Sequence, residues 1–284
     1  MQKILDRFKS LLRRKHLSYH YDLSDQFYSY LLGPTMAYSS GIKKTDQDSL
    51  DQLQINNYEH IAKKLVLNSS DRLLDLGCGW GGLICYMAKN YGVKATGITY
   101  SENHYQFVLN RIKNENLENL ITVKKLDILH DPMPGSYTKI TSIEMYEHVR
   151  IENLPKYFSV IDSILENNGR FLIQSIVSGK GESKRHNGHE FMDKYIFPGA
   201  QVPSYEILKK ILSKVNWKID HIEEISDSYI MTLDYWLKNL MSKKDLCLKE
   251  VPERIYRLWL LYLAGSIIAF EERTVEDYQT LLIK

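Results

Sequence analysis

Patterns typical of β-strands and α-helices alternate along most of this chain. The strand patterns cover 72–76, 93–99, 120–127, 138–145 and 169–176, and the helical patterns between them cover 81–90, 102–116 and 152–166. Parallel strands need long crossover connections, so this alternation predicts a mostly parallel sheet with helices on both faces. We predict an α/β, Rossmann-like fold with seven strands, in which ligands bind beyond the carboxyl ends of the strands.

The alternation starts and stops at points that divide the chain into four segments. We predict a helical cap over 1–68, a Rossmann-like core over 69–177, a mainly helical lid over 178–270 and a strand within 271–284. The lid begins with a polar, glycine-rich stretch that reads as a loop. The final strand is expected to complete the core sheet.

The composition restricts the class of protein. A hydrophobic fraction of 44% and a charged fraction of 25% are typical of globular domains, and a net charge of +2 gives no argument for a nucleic-acid partner. Three cysteines without a CxxC pair predict a reduced, cytoplasmic protein with no metal site. The sequence has no apolar run of about 18 residues, so no membrane span is predicted.

The first 17 residues combine apolar residues at helical spacing with many lysines and arginines. A basic amphipathic helix of this kind can lie on an anionic membrane surface, and it can equally cap a domain. The sequence leaves both roles open. The expected location is therefore cytoplasmic, with a peripheral position at the inner membrane surface as the second interpretation.

The loop after the first strand is the most informative motif. It runs from Asp75 to Gly82 as DLGCGWGG and leads into a helix. Glycines let the backbone turn sharply and approach a ligand, and a helix N-terminus favours a carboxylate or a phosphate. Asp75 can bind an ammonium group, and the GK[ST] of a phosphate-binding loop is missing. A ligand with both an ammonium and a carboxylate is an amino-acid cofactor rather than a pyrophosphate.

Several ordered motifs resemble those of one enzyme family. They are SYHYDLSDQFY at 18–28, YSSG at 38–41, LLDLGCGWGG at 73–82, EMYEHV at 144–149, DKYIFPGAQVPS at 193–204, SYIMTLDYW at 228–236, YRLWLLYLAG at 256–265 and YQTLLIK at 278–284. From about residue 18 onward the chain resembles the cyclopropane-fatty-acid synthase and mycolic acid methyltransferase family. The resemblance implies a class I methyltransferase fold with a helical lid insertion, and S-adenosylmethionine as cofactor.

The same resemblance implies a cofactor site. The residues that it places around S-adenosylmethionine are Tyr38, Ser39, Asp75, Gly77, Cys78, Gly79, Trp80, Gly81, Thr99, Tyr100, Ser101, His104, Asp127 and Ile128. Tyr38 closes over the methionine part in this family, the segment 99–101 flanks the ribose, and Asp127 lies at the adenine. His104 stands where the family has a glutamine.

The resemblance also implies catalytic residues. Family members hold a bicarbonate ion that removes a proton after methyl transfer to an alkene, in a cage of a cysteine, a glutamate, a His-x-Ile segment and a tyrosine. The catalytic candidates at these positions and in the adjoining motif are Glu147, His148, Tyr229, Glu144, Ser40, Gln174 and Ile176. Glu147 and Tyr229 keep the family's residue types, whereas Ser40 replaces the cysteine and Gln174 the histidine.

Because of these replacements, the sequence does not decide which group acts as the base. If the cage assembles, bicarbonate binds and the product is a cyclopropane. If it does not, Glu147 or His148 acts as the base directly, as in plant alkaloid N-methyltransferases, whose E-x-x-E-H segment also resembles residues 144–148.

We expect a methyltransferase that acts on the double bond of an unsaturated acyl chain or another apolar alkene. One alternative is a C- or N-methyltransferase of an isoprenoid, alkaloid or amine, and another is a cofactor-binding protein without turnover. The expected partner is a lipid or other apolar acceptor and not a nucleic acid. Both a monomer and a homodimer are compatible with the sequence.

Overall fold

The computed structural model describes residues 23–180, 190–197, 201–215 and 217–284. The amphipathic helix predicted over 1–17 lies outside these residues, as does most of the polar stretch at the start of the predicted lid.

A seven-stranded sheet forms the centre of the described chain. Its strands are β1 (Arg72–Leu76), β2 (Lys94–Thr99), β3 (Ile121–Lys125), β4 (Tyr137–Ile143), β5 (Leu165–Ser178), β6 (Lys218–Glu224) and β7 (Val275–Ile283). The strand order is β3-β2-β1-β4-β5-β7-β6. Strand β7 runs antiparallel to β5 and β6, and the other pairs are parallel. The mostly parallel α/β sheet predicted from the alternation is confirmed.

The helices lie between these strands and before the first of them. They are α1 (Asp25–Leu32), α2 (Leu50–Leu65), α3 (Gly82–Tyr91), α4 (Glu102–Asn114), α5 (Leu154–Ile164), α6 (Tyr205–Leu212), α7 (Ser226–Ser242), α8 (Lys244–Glu250) and α9 (Glu253–Glu271). Hydroxyl side chains cap three of them: Ser24 accepts from the Phe27 N–H, Ser49 from the Gln52 N–H and Ser101 from the His104 N–H. Within the described ranges, none of these helices is both long and apolar enough to cross a membrane.

Both faces of the sheet are covered by helices. One face packs against α2, α3 and α4 through Ile61, Ile84 and Val108. The opposite face packs against α5 and α6 through Phe158 and Leu208. Neighbouring strand residues enter different clusters because successive side chains of a strand point to opposite faces. This arrangement buries β1, β4 and β5 in the middle and leaves their carboxyl ends for ligands.

The segment that the sequence assigned to the lid contains part of the core sheet. Strand β6 pairs with β7 at the sheet edge, and α6 packs with Trp217 into the same hydrophobic cluster as α5. The helices inserted between the last two strands are α7, α8 and α9. The predicted lid segment is therefore divided: Ile196 packs with the inserted helices, which begin at Ser226, whereas α6 and β6 belong to the core.

The inserted helices pack on α1, the first helix of the described chain. Their shared cluster contains Phe27 of α1, Trp236 of α7, Cys247 of α8 and Trp259 of α9. Trp80 of the glycine loop belongs to the same cluster. The lid and α1 therefore close together over the loop that follows β1.

Candidate active site

The glycine loop joins β1 to α3 in a conformation that needs glycine. Gly77, Gly79 and Gly81 have φ angles of 81°, 51° and 78°, which residues with a Cβ rarely adopt. The amides of Gly77 and Cys78 both donate to the Ile98 carbonyl at 2.9 Å and so fix the loop to β2. A Cβ added to Gly77 would lie 2.8 Å from the Met145 side chain, whereas one added to Gly79 would meet nothing within 4 Å. The backbone at Gly79 therefore borders open space.

Asp75 lies at the end of β1, beside this loop. Its carboxylate accepts a hydrogen bond of 2.7 Å from the Thr141 hydroxyl, because Asp75 pairs in register with Thr141 of β4. Burial raises the pKa of Asp75 to about 7. A buried carboxyl group of this kind gains stability as an anion when a positively charged ligand lies against it. The geometry is compatible with the ammonium-binding role predicted for Asp75.

The ends of β2 and β3 form the next part of the same edge. The Ser101 N–H donates to the Thr99 hydroxyl at 3.3 Å, and Ser101 caps α4. Tyr100 between them is 41% exposed, so its ring faces outward from the core. The Asp127 carboxylate accepts from the Leu129 N–H, and Ile128 is buried. These residues lie where the motifs predicted the ribose and adenine contacts, and those contacts remain predictions.

Trp80 and His104 pack together at the centre of the loop region. Their ring centroids are 4.2 Å apart, and the Trp80 indole N–H donates to Asp25 of α1 at 2.7 Å. Burial lowers the pKa of His104 to about 4, so its imidazole is neutral at physiological pH. A neutral imidazole can donate or accept one hydrogen bond, as the family's glutamine amide does. Its role at the ribose stays a prediction.

Tyr38 and Ser39 connect this edge to the lid. The Tyr38 hydroxyl donates to Tyr262 of α9 at 3.1 Å, and the Tyr38 ring lies within 6.0 Å of the rings of Trp236 and Trp259. The Ser39 carbonyl accepts from the Gln54 amide at 2.8 Å. Aromatic side chains from two lid helices thus form a wall beside Tyr38. Such a wall excludes water and favours an apolar or cationic neighbour.

Glu144 lies just after β4, and its carboxylate accepts three hydrogen bonds. Its carboxylate accepts from the Ser40 backbone N–H at 2.6 Å, from the Tyr229 hydroxyl at 2.6 Å and from the Gln174 side-chain amide at 3.1 Å. We call these donors the three-donor pocket. Burial raises the pKa of Glu144 to about 7, although all of these donors favour the charged form. The structure therefore brings together Ser40, Gln174, Tyr229 and Glu144, all predicted as catalytic.

Glu147 follows in the short turn Tyr146–His148 and is also buried. One of its oxygens accepts a long hydrogen bond of 3.4 Å from the Ile176 N–H, and the other oxygen has no protein partner among the described residues. Burial, followed by the charge of Glu144, raises the pKa of Glu147 to about 8. His148 beside it packs its ring 5.3 Å from that of Phe197. The predicted catalytic residues thus form one cluster between β4, β5 and the lid.

Asp277 of β7 is a member of this cluster that the sequence analysis did not find. It is fully buried, and one of its oxygens lies 3.4 Å from the Gln174 amide nitrogen. Burial and the charges of Glu144 and Glu147 raise its pKa well above the ordinary value. No sequence pattern pointed to Asp277, because an alternating polar residue in a terminal strand usually faces solvent. Thr141 was also missed. Its contact with Asp75 depends on the register between β1 and β4, which the sequence does not show.

The site fits S-adenosylmethionine, the cofactor that the motifs imply. Gly79 offers accessible backbone, Asp75 offers a carboxylate for the ammonium group, and Asp127 lies at the end of β3. Bicarbonate does not fit in the same way. The donors expected to hold that ion at Ser40, Gln174 and Tyr229 already bind the Glu144 carboxylate. Within the described part of the chain, no group of three or more His, Cys, Asp or Glu residues has the geometry of a metal site.

Comparison with known proteins identifies relatives over nearly the whole chain. The family model described as mycolic acid cyclopropane synthetase matches residues 9–280. A probable fatty acid methyltransferase from Pseudomonas putida is 33% identical over 270 residues, which cover 94% of this chain and 68% of that protein. A sphingolipid C9-methyltransferase from Candida albicans is 32% identical over 276 residues, which cover 93% of this chain and 53% of that protein.

Solved structures give the same result for the fold. The crystal structure of the mycolic acid cyclopropane synthase CmaA1 complexed with SAH and CTAB matches with a TM-score of 0.89 at 26% identity, covering 95% of this chain and 98% of that chain. The chain spans about half to two thirds of the length of the curated relatives that it matches.

Proposed function

Since the chain belongs to the mycolic acid cyclopropane synthetase family, and so to the class I S-adenosylmethionine-dependent methyltransferases, we propose that it transfers a methyl or methylene group to the double bond of an unsaturated acyl chain. The observation that carries this proposal is the pair of acids beside the aromatic wall of the lid, Glu144, which is partly buried, and Glu147, which is buried. Such a pair can remove a proton in surroundings that are largely apolar.

The relatives favour a lipid acceptor. One is named for fatty acid methylation and another for sphingolipid methylation, and both align with more than nine tenths of this chain. A structural relative contains CTAB, a compound with a long alkyl chain, together with SAH. These names support an unsaturated lipid over an alkaloid or a small amine as the acceptor of this chain.

The chain's own residues have three tasks in such a reaction. S-adenosylmethionine, when bound, supplies an electrophilic methyl group. The loop at Gly77–Gly81 would hold the cofactor, and the aromatic side chains around Tyr38 would exclude water and face the positive charge that develops on the acceptor. The buried acids would take the proton that the product must lose. A cyclopropane and a methyl-branched alkene differ only in which C–H bond gives up that proton.

The proposal is tested by following a labelled methyl group. The protein is incubated with methyl-labelled S-adenosylmethionine and either vesicles of a monounsaturated phospholipid or a panel of small amines. We expect label in the acyl chains and none with saturated vesicles. Label in the amines alone would replace the lipid proposal with amine methylation, and label in neither pool would contradict both.

A matched pair of variants separates the site from general damage. Glu144→Gln removes the hydrogen-bonded acid of the site, and Glu118→Gln removes an exposed acid of the same type. We expect the first to lower label transfer by about 100-fold or more, the usual contribution of a general acid or base, and the second to leave it unchanged. Equal losses in both variants would contradict the assignment of the site.

A further inference from the structure

The Glu144 carboxylate lies where three donors from different parts of the chain converge. The Ser40 N–H comes from the segment before α2, the Tyr229 hydroxyl from lid helix α7, and the Gln174 amide from β5. The distances are 2.6, 2.6 and 3.1 Å, and the two short ones, from Ser40 and Tyr229, are typical of hydrogen bonds to a charged acceptor. The three-donor pocket is therefore built to hold an anionic carboxylate, and the protein supplies that carboxylate from its own chain.

The hydrogen-bond partners of Gln174 fix the direction of its amide. Its oxygen accepts from the Asn57 amide at 3.2 Å and from the Gln279 amide at 2.9 Å. The Gln279 oxygen in turn accepts from the Lys64 ammonium at 2.7 Å. Because each amide oxygen faces a donor, the Gln174 nitrogen must face Glu144. A chain of donors thus runs from a lysine, through two amides, to the Glu144 carboxylate and favours its negative charge.

The backbone at Glu144 is held in an unusual conformation. Its φ angle is 47°, in the left-handed region that favours glycine, although glutamate has a Cβ. The Glu144 N–H pairs with the Gln174 carbonyl at 2.8 Å, so the strand pairing continues through the residue. The conformation directs the side chain of Glu144 into the three-donor pocket. Glycine would adopt this conformation more easily but would leave the pocket without an acceptor.

Glu144 differs from the other acids of the cluster in how it is satisfied. One oxygen each of Glu147 and Asp277 is buried without a protein partner among the described residues. Glu147 is 8% exposed, and its carboxylate accepts from backbone N–H groups alone, those of Glu147 itself and of Ile176. The hydrogen bonds at Glu144 favour its ionised form, whereas little favours the ionised form of Glu147. Glu144 is therefore the anion of the pair near neutral pH, and Glu147 retains the proton.

We propose that Glu144 is the built-in proton acceptor of the reaction, and that its carboxylate fills the position of a bound anion so that turnover needs no bicarbonate. This inference rests on the proposed function. Methyl transfer to an alkene forms a C–C bond as the C–S bond of the donor breaks, and it leaves a positive charge on the neighbouring carbon. A C–H bond then gives its electron pair to that carbon, and its proton goes to the Glu144 carboxylate. Product release lets the proton pass to solvent.

The direct test removes the carboxylate and supplies an anion from outside. Glu144→Gly suits the positive φ angle, so the fold should be kept. We expect the variant to lose turnover by about 100-fold or more, and added formate to restore part of it. ¹³C NMR should show formate bound to Glu144→Gly but not to the wild-type protein, because only the variant has an empty three-donor pocket. The binding measurement requires no lipid acceptor and no turnover.

Two further variants keep the test decisive. Glu147→Gln leaves Glu144 in the pocket, so formate should neither bind to it nor change its turnover. Glu144→Gln keeps the size of the side chain, so its loss of turnover should come with a melting temperature close to that of the wild type.

The inference would be overturned by any of three results. Wild-type turnover could depend on added bicarbonate, Glu144→Gly could keep wild-type turnover, or formate could bind to the wild type and Glu144→Gly alike. Absence of methyl transfer to lipid by the wild type would instead contradict the proposed function. The formate-binding result would still report on the pocket in that case.

Discussion

Burial gives the acids of this site pKa values far from those of exposed carboxyl groups. The pKa rises to about 7 for Asp75 and Glu144 and to about 8 for Glu147. Desolvation is the largest cause in each case, and the hydrogen bonds of Glu144 oppose it. The same carboxyl groups that equip the site for proton transfer therefore make the folded protein sensitive to pH.

The stability of the folded protein should fall as the pH rises from about 5 to about 8. A carboxyl group with a raised folded-state pKa stabilises the folded state below its unfolded pKa, and this contribution is lost as the pH rises through the folded value. For Glu147 the window extends from the ordinary 4.5 to about 8. The loss amounts to about 1.4 kcal/mol for each pH unit within that window.

Glu147→Gln should reduce this pH dependence, since an amide resembles the protonated acid and does not titrate. Melting temperatures measured across the pH range check the prediction. Glu118→Gln is the control, because Glu118 is exposed and should leave the slope unchanged. A slope in Glu147→Gln equal to that of the wild type would show that Glu147 is ionised in the folded protein.

Gly79 should be required for cofactor binding beyond its effect on stability. Gly79→Ala places a Cβ in the open space beside the loop, and Gly135→Ala is the matched control. Both glycines have a positive φ and no atom within 4 Å of an added Cβ, so each substitution should cost about 1–2 kcal/mol of stability. Calorimetry with S-adenosylhomocysteine should show weaker binding, by an order of magnitude, for Gly79→Ala alone. Equal affinities in the two variants would remove Gly79 from the cofactor site.

The sequence predicted many of the residues that meet in the site, but not how they are arranged. Motifs placed Ser40, Gln174, Tyr229 and Glu144 among the candidates, and the structure brings them together. The sequence could not show that the Glu144 carboxylate occupies the pocket expected for bicarbonate. That result depends on a backbone angle at Glu144 and on amide directions set by Asn57 and Gln279, which no motif encodes.

At the scale of helices and strands, the chain of donors behind Glu144 connects four elements. Lys64 lies at the end of α2, Gln279 on β7 and Gln174 on β5, and Lys64 also pairs with Glu223 of β6 at 2.6 Å. The amide donors Gln174 and Gln279 are buried, and the Lys64 ammonium is shared between the Gln279 oxygen and the Glu223 carboxylate. The edge of the sheet is therefore connected to an acid of the site through buried hydrogen bonds.

Lys64→Met should move the pH profile of turnover to higher pH. Removing the ammonium group leaves the amide chain less polarised, so the Glu144 carboxylate should be harder to form and its midpoint near pH 7 should rise by a fraction of a unit. The groups that face Glu144 and titrate beside it are Glu147, Asp277, Tyr229 and Tyr262. Turnover measured from pH 5 to pH 9 checks the shift.

The control for this variant is Lys63→Met, an exposed lysine of the same helix that is outside the chain of donors. It should leave the profile unchanged. A profile for Lys64→Met that superimposes on that of the wild type would show that the donor chain has no influence on the base.

Hydrophobic periodicity predicted most of the helices and strands. The described strand that it missed is β6, and the exposure of β6 explains why. Strand β6 reads KIDHIEE and lies at the sheet edge, where nearly all of its side chains are exposed. A strand without a buried face carries no apolar alternation for the sequence to reveal. Its pairing with β7 is decided by the position of that neighbour rather than by its own residues.

The packing of the molecule joins the lid helices and α1 in one cluster with the glycine loop. The Trp80 indole connects to Asp25 of α1, and Tyr38 connects to Tyr262 of α9. If the loop binds the cofactor as proposed, the bound cofactor would contact the same aromatic cluster that the lid helices form. Periodicity predicted a helical lid, but the packing of α1 against it depends on contacts between distant residues.

Membrane contact through residues 1–17 remains a proposal, since these residues lie outside the described part of the chain. Lysines and arginines near an anionic surface contribute about 1 kcal/mol each, so exchange of Arg13 and Arg14 for glutamine should weaken vesicle binding at least tenfold. Sedimentation with phosphatidylglycerol vesicles at low salt measures the change. Exchange of Lys113 and Lys124, which are exposed on the core, should have no such effect. Equal binding by both pairs would contradict a role for the N-terminal segment.

We propose, from the two preceding inferences together, that this chain methylates an unsaturated acyl chain with the Glu144 carboxylate as the base. The most direct measurement is mass spectrometry of the acyl chains after reaction with methyl-labelled S-adenosylmethionine and monounsaturated vesicles, in buffer freed of bicarbonate and in the same buffer with bicarbonate added. We predict label in the acyl chains at the same rate in both buffers. Label only in the presence of bicarbonate, or no label in either buffer, would contradict the claim.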